Sequence, residues 1–360
     1  MALSELELER YSRQVVLEDI GMKGQLRLKE ARVCLVGAGG LGNYIATQLV
    51  AMGVGHLKIV DRDIVALSNL HRQSLYDVGL LDYSKAEAAK IKLQQLNPEV
   101  TVEALPISLD YESAETILKD VDLVVDGLDS IEARYAVNAA CVKENIPFVY
   151  GSAIQTLGAA STILPGKTPC LRCIYPKARD DELPKCGTEG VHPAILSIIA
   201  AVEVAESVKL LVGQAPSLTG KLLFCDLRDL SFDTIDIKRS EKCIACGRPN
   251  GGEERPERRF VVEICGRERG SRVLMLTPRE DLGLDMRRLL DLLSRDHYDV
   301  TVKGALGVTF NQGKTKLSIL KSGVAVVTTR GSEEEAMDLY RRIIVNGLEV
   351  DPDRVGLTPN

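Results

Sequence analysis

The chain has 360 residues, of which 45% are hydrophobic, and its 45 basic and 51 acidic residues give a formal net charge of -6. This length and apolar content allow a large buried core and predict a globular protein of two or three domains. The composition contains no basic block, so it offers no nucleic-acid footprint. We therefore expect proteins or small molecules as partners, and no nucleic acid.

The N-terminal segment MALSELELERYSRQ is acidic and lacks the apolar core of a signal peptide. No uncharged apolar stretch reaches the roughly 18 residues of a membrane span, because charged residues interrupt the longest candidate, 191–211. We therefore expect a soluble cytoplasmic protein without membrane contact. Before the first strand we predict a helix over 4–18, which contains Arg13, then a turn at 21–24 and a second short helix.

A glycine-rich turn organises the first half of the chain. The apolar run 33–36 is typical of a buried parallel strand, and Gly37, Gly39 and Gly42 follow it as GxGxxG before a helical pattern over 43–52. Such glycines allow a tight turn, a close approach of phosphate to the backbone, and packing of the helix on the strand. The pattern favours a nucleotide cradle over a purely structural turn, and it does not distinguish NAD, FAD and ATP.

Strands and helices then alternate. The second strand, 57–60, ends at Asp61, a carboxylate suited to ribose hydroxyls, and a strand over 121–125 delivers Asp126 and Asp129 to its C-terminal end. Further strands are predicted at 100–105 and 147–150, with helices at 84–96, 111–118 and 131–144. The alternation predicts an α/β fold with a doubly wound, mainly parallel, Rossmann-like sheet that binds ligands at this edge.

Two segments outside this alternation attract attention. Residues 151–164, GSAIQTLGAASTIL, are small enough to let an extended peptide lie close to the sheet edge, although a tightly packed strand would have the same composition. Residues 177–190 lack apolar periodicity and predict a crossover loop. This loop carries Cys186 beside Lys185, in polar surroundings that predict an exposed and chemically available thiol.

Two Cys-x-x-Cys pairs stand far apart in the chain. Cys170 and Cys173 form the first pair, Cys243 and Cys246 the second, and turn-forming Pro or Gly bounds each. Two such pairs are the ligand set of a tetrahedral structural zinc, which would clip distant segments together. Disulfides are the alternative, and a reducing cytoplasm disfavours them.

The pattern changes after the second cysteine pair. We predict a first domain over 1–248, which includes the crossover loop 177–190, a charged linker over 249–258, a smaller α+β domain over 259–346, and a tail over 347–360. The smaller domain has predicted strands at 260–265, 272–276, 298–303, 306–310, 315–320 and 323–329, and helices at 284–295 and 332–345. It contains no metal or phosphate motif, which favours binding over chemistry.

Dispersed motifs in the first domain resemble the HesA/MoeB/ThiF family and the ubiquitin-activating enzymes built on the same unit. In chain order over roughly residues 8–248 they are RYSRQ, VGAGGLG, DRDIVALSNLHRQ, Lys85, Asp129, the two cysteine pairs and KCGTEGV. The resemblance implies a homodimeric enzyme that binds ATP and Mg²⁺. It also implies adenylation of the C-terminal Gly-Gly carboxylate of a ubiquitin-like or sulfur-carrier protein.

The resemblance also implies roles for individual residues. Arg72 and Lys85 would hold the phosphates with Asn69 beside them, whereas in isolation such charges are more often solvated. Asp129 would hold the magnesium, and Arg13 would reach the phosphates of the partner subunit. Asp61 would bind the ribose, and the nucleotide backbone would lie on Gly37, Gly39, Gly40 and Gly42.

Two positions affect the details. Ser130 stands where the family often has Asn, so we expect altered nucleotide contacts with activity retained. Cys186 matches the loop cysteine that takes the acyl group from AMP in the thioester-forming branches, whereas MoeB-like members leave the next step to a partner's sulfur. The position of the C-terminal domain resembles that of the domain with which eukaryotic activating enzymes recruit a conjugating enzyme.

Two rival functions stay open at this point. A nicotinamide-dependent oxidoreductase would use the same glycine turn and Asp61, but it leaves Arg72, Lys85, Asp129 and the paired cysteines unexplained. A scaffold that binds a ubiquitin-like protein without activating it would not need the phosphate and magnesium residues.

Overall fold

The computed structural model describes residues 2–183, 189–247, 259–264 and 271–357. Its larger sheet consists of β1 (Arg32–Val36), β2 (His56–Val60), β3 (Thr101–Leu105), β4 (Leu123–Asp126), β5 (Phe148–Ile154), β6 (Leu157–Ile163), β7 (Lys221–Asp226) and β8 (Ser231–Asp236). The strand order is β3-β2-β1-β4-β5-β6-β7-β8. Pairing is parallel from β3 to β5 and antiparallel from β5 to β8. The prediction of a doubly wound, mainly parallel sheet is confirmed.

Helices cover both faces of this sheet. They are α1 (Glu5–Arg10), α2 (Gly21–Glu30), α3 (Gly40–Ala51), α4 (Lys85–Leu96), α5 (Tyr111–Ile117), α6 (Ile131–Glu144), α7 (Leu171–Ile174) and α8 (Pro193–Val212), with 3₁₀ turns at Leu67–Asn69 and Val78–Leu80. Within the described ranges, no helix combines the length and hydropathy that crossing a bilayer requires. The apolar segment predicted as a core helix is α8, which is buried against the sheet.

Alternating side chains of β1 explain why helices lie on both faces. Val33 and Leu35 pack into one apolar cluster with α3 and α8, while Cys34 and Val36 pack into another with α5 and α6. All four side chains are fully buried. Because both faces of β1 are buried, its sequence is a continuous apolar run and does not alternate between apolar and polar residues. Burial raises the pKa of the Cys34 thiol to about 12, consistent with an inert core cysteine.

The N-terminal helix is shorter than predicted. It ends at Arg10 and is followed by turns, because Tyr11 packs against Gly53 and the Gln14 amide donates a 2.9 Å hydrogen bond to the carbonyl of Met52. The turn predicted at 21–24 is instead the first turn of α2.

The small residues of 151–164 form the β5–β6 hairpin. Since β6 pairs with β5 on one side and with β7 on the other, it is an interior strand rather than an open edge for a peptide. Ala159 and Ala160 are buried, and a Cβ at Gly158 would collide with Ile199 of α8. The composition therefore serves close packing, which was the alternative interpretation.

A second, antiparallel sheet follows in the described part of 259–357. Its strands are β9 (Val261–Ile264), β10 (Arg272–Leu276), β11 (Asp299–Lys303), β12 (Gly307–Gln312), β13 (Thr315–Leu320) and β14 (Ala325–Thr329), in the order β11-β12-β13-β14-β10-β9. One face packs against α9 (Met286–Arg295) and α10 (Glu333–Arg341), which continues as a π-helix over Arg342–Gly347. The segment predicted as a tail contains α11 (Pro352–Val355), and Val355 is buried in this core.

Candidate functional site

The glycine loop joins the end of β1 to the start of α3. Gly37 has a φ of +91°, and a Cβ there would lie 2.5 Å from the carbonyl oxygen of Gly127, just after β4. A Cβ at Gly42 would collide with the carbonyl oxygen of Gly37. At Gly39, in contrast, the nearest atoms to a Cβ would be 3.9 Å away. The loop is closed toward the sheet and open at its middle glycine, and Gly40 begins the helix behind it.

Asp61 follows β2 and lies against this loop. Its carboxylate accepts 2.7 Å hydrogen bonds from the backbone N–H groups of Ala38 and Asp63. Burial raises the pKa of Asp61, while the nearby Lys85 charge acts in the opposite direction. The carboxylate is therefore fixed beside the glycine loop, at the position that binds ribose in dinucleotide folds.

Lys85 begins α4 beside the same loop and is only 5% exposed. Its Nζ lies 2.8 Å from Oδ2 of Asp63. The hydroxyl of the buried Tyr76 lies 2.8 Å from the carbonyl oxygen of Ala38 and 3.3 Å from that of Lys85. One phenol thus links the glycine loop to the start of α4, and a nearly buried cation is held next to the loop.

Asn69 and Arg72 lie on the segment between β2 and α4. Asn69 is 8% exposed, and the half-buried Arg72 guanidinium donates a 2.9 Å hydrogen bond to the carbonyl of Ser68. Asn43, which is buried in α3, donates to the carbonyls of Gly39 at 2.8 Å and Arg72 at 3.4 Å. This amide ties the segment to the glycine loop.

The end of β4 supplies the remaining predicted residues. Asp126 is fully buried and forms a 2.7 Å ion pair with Arg134. Asp129 is exposed and makes no hydrogen bond or ion pair with any described residue. The Ser130 hydroxyl caps α6 and donates a 2.6 Å hydrogen bond to Asp180 on the crossover loop. Asp129 is thus an exposed carboxylate at the edge where the strand order reverses, next to the Gly37–Gly127 contact.

The four paired cysteines meet at one point away from this edge. Their Sγ atoms all lie within 4.8 Å of one another, with 3.6 Å between Cys170 and Cys243 and 3.5 Å between Cys173 and Cys246. Four sulfurs around one zinc at ~2.3 Å would be separated by ~3.8 Å. A hydrogen bond from Cys170 lowers the pKa of the Cys173 thiol, while the same contact raises that of Cys170. The cluster could hold a zinc ion.

Comparison with known proteins identifies the family. The ThiF family model matches residues 11–245. The chain belongs to the ThiF family. It is 40% identical over 269 residues to a sulfur carrier protein adenylyltransferase of Thermus thermophilus, an alignment that covers 72% of this chain and 97% of that one. It is also 37% identical over 269 residues to a SAMP-activating enzyme E1 of Haloferax volcanii, covering 74% and 97%.

A solved ThiF-like structure agrees in fold. The chain superimposes on Escherichia coli MccB with ATP at a TM-score of 0.60 and 23% identity, covering 68% of this chain and 75% of that one. The matched family and the adenylyltransferase relatives confirm the predicted ThiF-type adenylyltransferase class.

The structure brings most of the predicted ThiF-type site residues to one edge of the sheet. The exceptions are the four paired cysteines, which form their own cluster, Arg13, which is exposed near the opposite end of α3, and Cys186, which lies outside the described residues. Gln73, whose role the sequence left unassigned, is 3% exposed beside Gly39, and its Oε1 has no partner within the described residues.

Sequence reasoning missed the residues that connect this ThiF-type site. Tyr76, Asn43 and Asp63 make the bonds that join the glycine loop to the segments carrying Arg72 and Lys85. Asp63 lies inside the DRDIVALSNLHRQ motif but was given no role, whereas Asn43 and Tyr76 lie outside the quoted motifs. A tyrosine in a predicted polar loop and an asparagine inside a helical pattern were the available signals, since each is unusual there unless it has a buried partner.

Proposed function

We propose that this protein uses ATP and Mg²⁺ to adenylate the C-terminal Gly-Gly carboxylate of a ubiquitin-like or sulfur-carrier protein, releasing pyrophosphate. In this reaction a carboxylate attacks the α-phosphate, so two anions meet while negative charge develops on the leaving group. Fixed cations and backbone N–H groups near the phosphates offset this charge and so lower the activation free energy of the reaction. The proposal assigns this work to the glycine loop, Arg72 and Lys85.

The observation that carries the proposal is the nearly buried Lys85, which pairs with the partly exposed Asp63 beside the glycine loop. Burying a lysine is costly unless its charge is paired and hydrogen-bonded, so a lysine kept at such a position beside a glycine loop is a candidate phosphate contact. A nicotinamide-dependent oxidoreductase would need the glycine loop and Asp61 but not this cation. Triphosphate chemistry gives the lysine a role, and the family match supports the same conclusion.

Two further groups fit the ATP reaction. The room for a further atom over Gly39 and the Oε1 of Gln73, which has no partner among the described residues, suit a bound nucleotide. The exposed Asp129 carboxylate suits Mg²⁺, a cation that prefers oxygen ligands and is usually shared with substrate phosphates. When bound, Mg²⁺ would neutralise charge on the phosphates. In this proposal the four cysteines bind zinc as a structural clip.

The position of Arg13 supports a homodimer. Gln14 and Tyr11 anchor its segment at Met52 and Gly53, beyond the last residue of α3, whereas the glycine loop lies at the first. A helix of twelve residues is about 18 Å long, which exceeds the reach of an arginine side chain. If Arg13 contacts phosphates, it therefore does so in a second subunit. The adjacent Val16 is 75% exposed, and a partner could cover it.

The step after adenylation has two forms. In one, Cys186 accepts the acyl group as a thioester, and a conjugating enzyme follows. In the other, as in a MoeB-type enzyme, a sulfur donor acts on the adenylate directly. A Cys186→Ala protein should keep adenylation in both cases. Loss of a reductant-sensitive adduct with the carrier in this variant supports the first form, and persistence of the adduct excludes Cys186 as the acceptor.

The test of the proposal is carrier-dependent ATP–pyrophosphate exchange. We expect exchange with a ubiquitin-like protein that ends in Gly-Gly and none when those two residues are removed. Lys85→Ala should lower the exchange rate roughly 10²- to 10³-fold, the range for removing one group that stabilises developing charge. Lys92→Ala is the matched control, because Lys92 lies on the same helix and pairs with the exposed Asp77.

Exchange that is independent of the carrier, or equal in the two lysine variants, would contradict the proposal. Quenching of nicotinamide fluorescence without any exchange would favour the oxidoreductase. Binding of the carrier without exchange would favour the scaffold.

A further inference from the structure

The segment that holds Lys85 is a short two-stranded ladder, 63–65 paired with 82–85. The Lys85 N–H donates to the Asp63 carbonyl at 2.9 Å, and Ile64 forms an antiparallel bridge with Ser84. Side chains alternate along such a ladder. Asp63 therefore faces the nucleotide edge with Lys85, while Ile64 faces the other way.

The other side of this ladder is covered by the C-terminal sheet. Ile64 is 3% exposed and belongs to an apolar cluster whose other buried members are Val273, Met275, Leu320, Val324 and Val326. These residues lie on the face of the C-terminal sheet opposite α9 and α10. One apolar face of the second sheet is thus covered by its own helices, and the other face is covered by the ladder that carries Lys85.

Polar contacts surround this cluster, and the strongest involves Glu87, on the first turn of α4. Its carboxylate accepts hydrogen bonds from the backbone N–H groups of Ala305 at 2.6 Å and Leu306 at 2.9 Å. Glu87 is 7% exposed, and Gly304 packs so closely that a Cβ there would lie 2.6 Å from Oε2 of Glu87. A buried carboxylate with two N–H donors is a specific, charge-assisted contact.

Asp82 makes the second polar contact. Its carbonyl accepts a 2.9 Å hydrogen bond from the Thr309 hydroxyl, and its carboxylate pairs with Lys316 at 2.8 Å. Farther along, the Ser322 hydroxyl donates to the carbonyl of Pro106, just after β3. Both strands of the ladder, and α4 after it, thus make contacts with the C-terminal domain.

The start of α4 depends on these contacts. Ser84 occupies the N-cap position, but its side chain makes no capping hydrogen bond to the described part of the helix. Its first turn is instead held by the Asp63 carbonyl on one side and by the Ala305–Leu306 backbone on the other. Lys85 and Glu87 are two residues apart on that turn, so a displacement of one moves the other.

We propose that the C-terminal domain is a positioning element of the nucleotide site, which sets the place of Lys85 through Glu87 and Asp82. The inference rests on the proposed role of Lys85 toward ATP. It assigns to the C-terminal domain a contribution to ATP use that is separate from any recruitment of a partner. Misplacement of a phosphate-contacting group by about 1 Å can cost roughly 10²-fold in rate.

The test substitutes residues on both sides of the contact. Glu87→Gln keeps the size and removes the charge, and Lys316→Met and Thr309→Val change only the C-terminal domain. We expect each substitution to weaken ATP binding, so that the KM for ATP in the exchange reaction and the Kd for MgATP both rise. For Glu87→Gln we expect a rise of about tenfold. Asp77→Asn is the control, because Asp77 pairs with Lys92 of α4 away from this contact and should leave both constants unchanged.

The readouts separate this inference from the proposed function. MgATP affinity is measured by equilibrium dialysis without a carrier, so it reports on the site even if the protein never exchanges pyrophosphate. Wild-type constants in Glu87→Gln and in the combined Thr309→Val, Lys316→Met protein would overturn the inference. A lower melting temperature with unchanged KM and Kd would mean that the contact is only structural, which also overturns it.

Discussion

The two sheets of this protein differ in what they bury. The N-terminal region buries charged side chains, namely Glu7, Lys85, Glu87, Asp126, Arg134, Glu203 and Glu206. In the described part of 259–357 the buried polar side chains are all hydroxyls, those of Thr277, Thr309, Ser318, Ser322 and Thr329. Buried charge costs stability unless it is paired and hydrogen-bonded. The first region therefore has to pair its buried charges, whereas the described part of the second buries no ionisable acidic or basic side chain.

Pairing offsets most of this cost in the first region. Asp126 pairs with Arg134, and Glu206 accepts hydrogen bonds from the backbone N–H of Leu218 and the hydroxyl of Thr162. Glu203 is the exception, because both of its carboxylate oxygens are buried without a partner among the described residues. The comparison therefore predicts that the N-terminal region depends on additional stabilising interactions, here called supports, such as a bound metal ion or a partner subunit. The C-terminal sheet should not depend on them.

The largest expected effect comes from removing the zinc clip. We expect one zinc per chain, and we expect Cys243→Ser to lower the unfolding free energy of the N-terminal region by several kcal/mol or more, because metal binding is coupled to folding. Hydrogen exchange should rise around α7 while the β10–β14 core stays protected. Cys225→Ala is the control, since Cys225 is buried outside the cluster. Freshly purified protein without zinc would contradict the prediction.

The second support is the proposed partner subunit. If the proposed homodimer forms, Arg13→Ala and Asp129→Ala should each inactivate it, the first by removing the proposed phosphate contact and the second by removing the proposed magnesium ligand. Co-expression should restore roughly a quarter of wild-type exchange, since about half of the dimers are mixed and each has one complete site. A mixture without activity would indicate an arginine that acts within its own subunit, and an active Arg13→Ala protein would make it a surface charge.

The smallest expected effect concerns Glu203. Burial raises its pKa well above the usual value, with the charge of Asp126 acting in the same direction and that of Arg134 against it. The folded state thus keeps a proton that the unfolded chain releases. This contribution to stability is complete below the unfolded pKa and is lost as the pH rises, by up to ~1.4 kcal/mol per pH unit.

Glu203→Gln removes this titration while keeping the shape. We expect denaturant unfolding of the variant to depend less on pH between about 5 and 8 than unfolding of the wild type. Glu206→Gln is the comparison: hydrogen bonds lower the pKa of Glu206, so its removal should change the slope of the profile only below the unfolded pKa and leave the slope in this range unchanged. Parallel profiles for wild type and Glu203→Gln would mean that Glu203 is ionised in the folded protein.

The sequence predicted features that depend on local pattern. The glycine loop, Asp61 at the end of β2 and the convergence of the two cysteine pairs all follow from spacing. The elements of the second sheet were also predicted within a few residues, because its strands are short, largely apolar runs and the turns at 304, 313 and 323 carry glycine. Such signals reside within a window of a few residues to a few tens of residues.

Long-range contacts could not be predicted in this way. The early end of α1 depends on Tyr11 meeting Gly53, and the docking of the second sheet depends on Glu87 meeting Ala305 and Leu306. A buried glutamate on a helix has the same sequence signature as a solvated one. Periodicity specifies which face of an element is apolar, but not which distant segment covers it.

The most direct measurement of the central claim is the fate of the α-phosphate of ATP. Wild-type protein is incubated with a Gly-Gly-ended carrier and ATP labelled at that phosphate, and the carrier and the nucleotides are then separated. We predict label on the carrier as an adenylate, with pyrophosphate released and Lys85→Ala nearly inactive. Label recovered as ADP with free phosphate, or a carrier without label while ATP is consumed, would contradict adenylation.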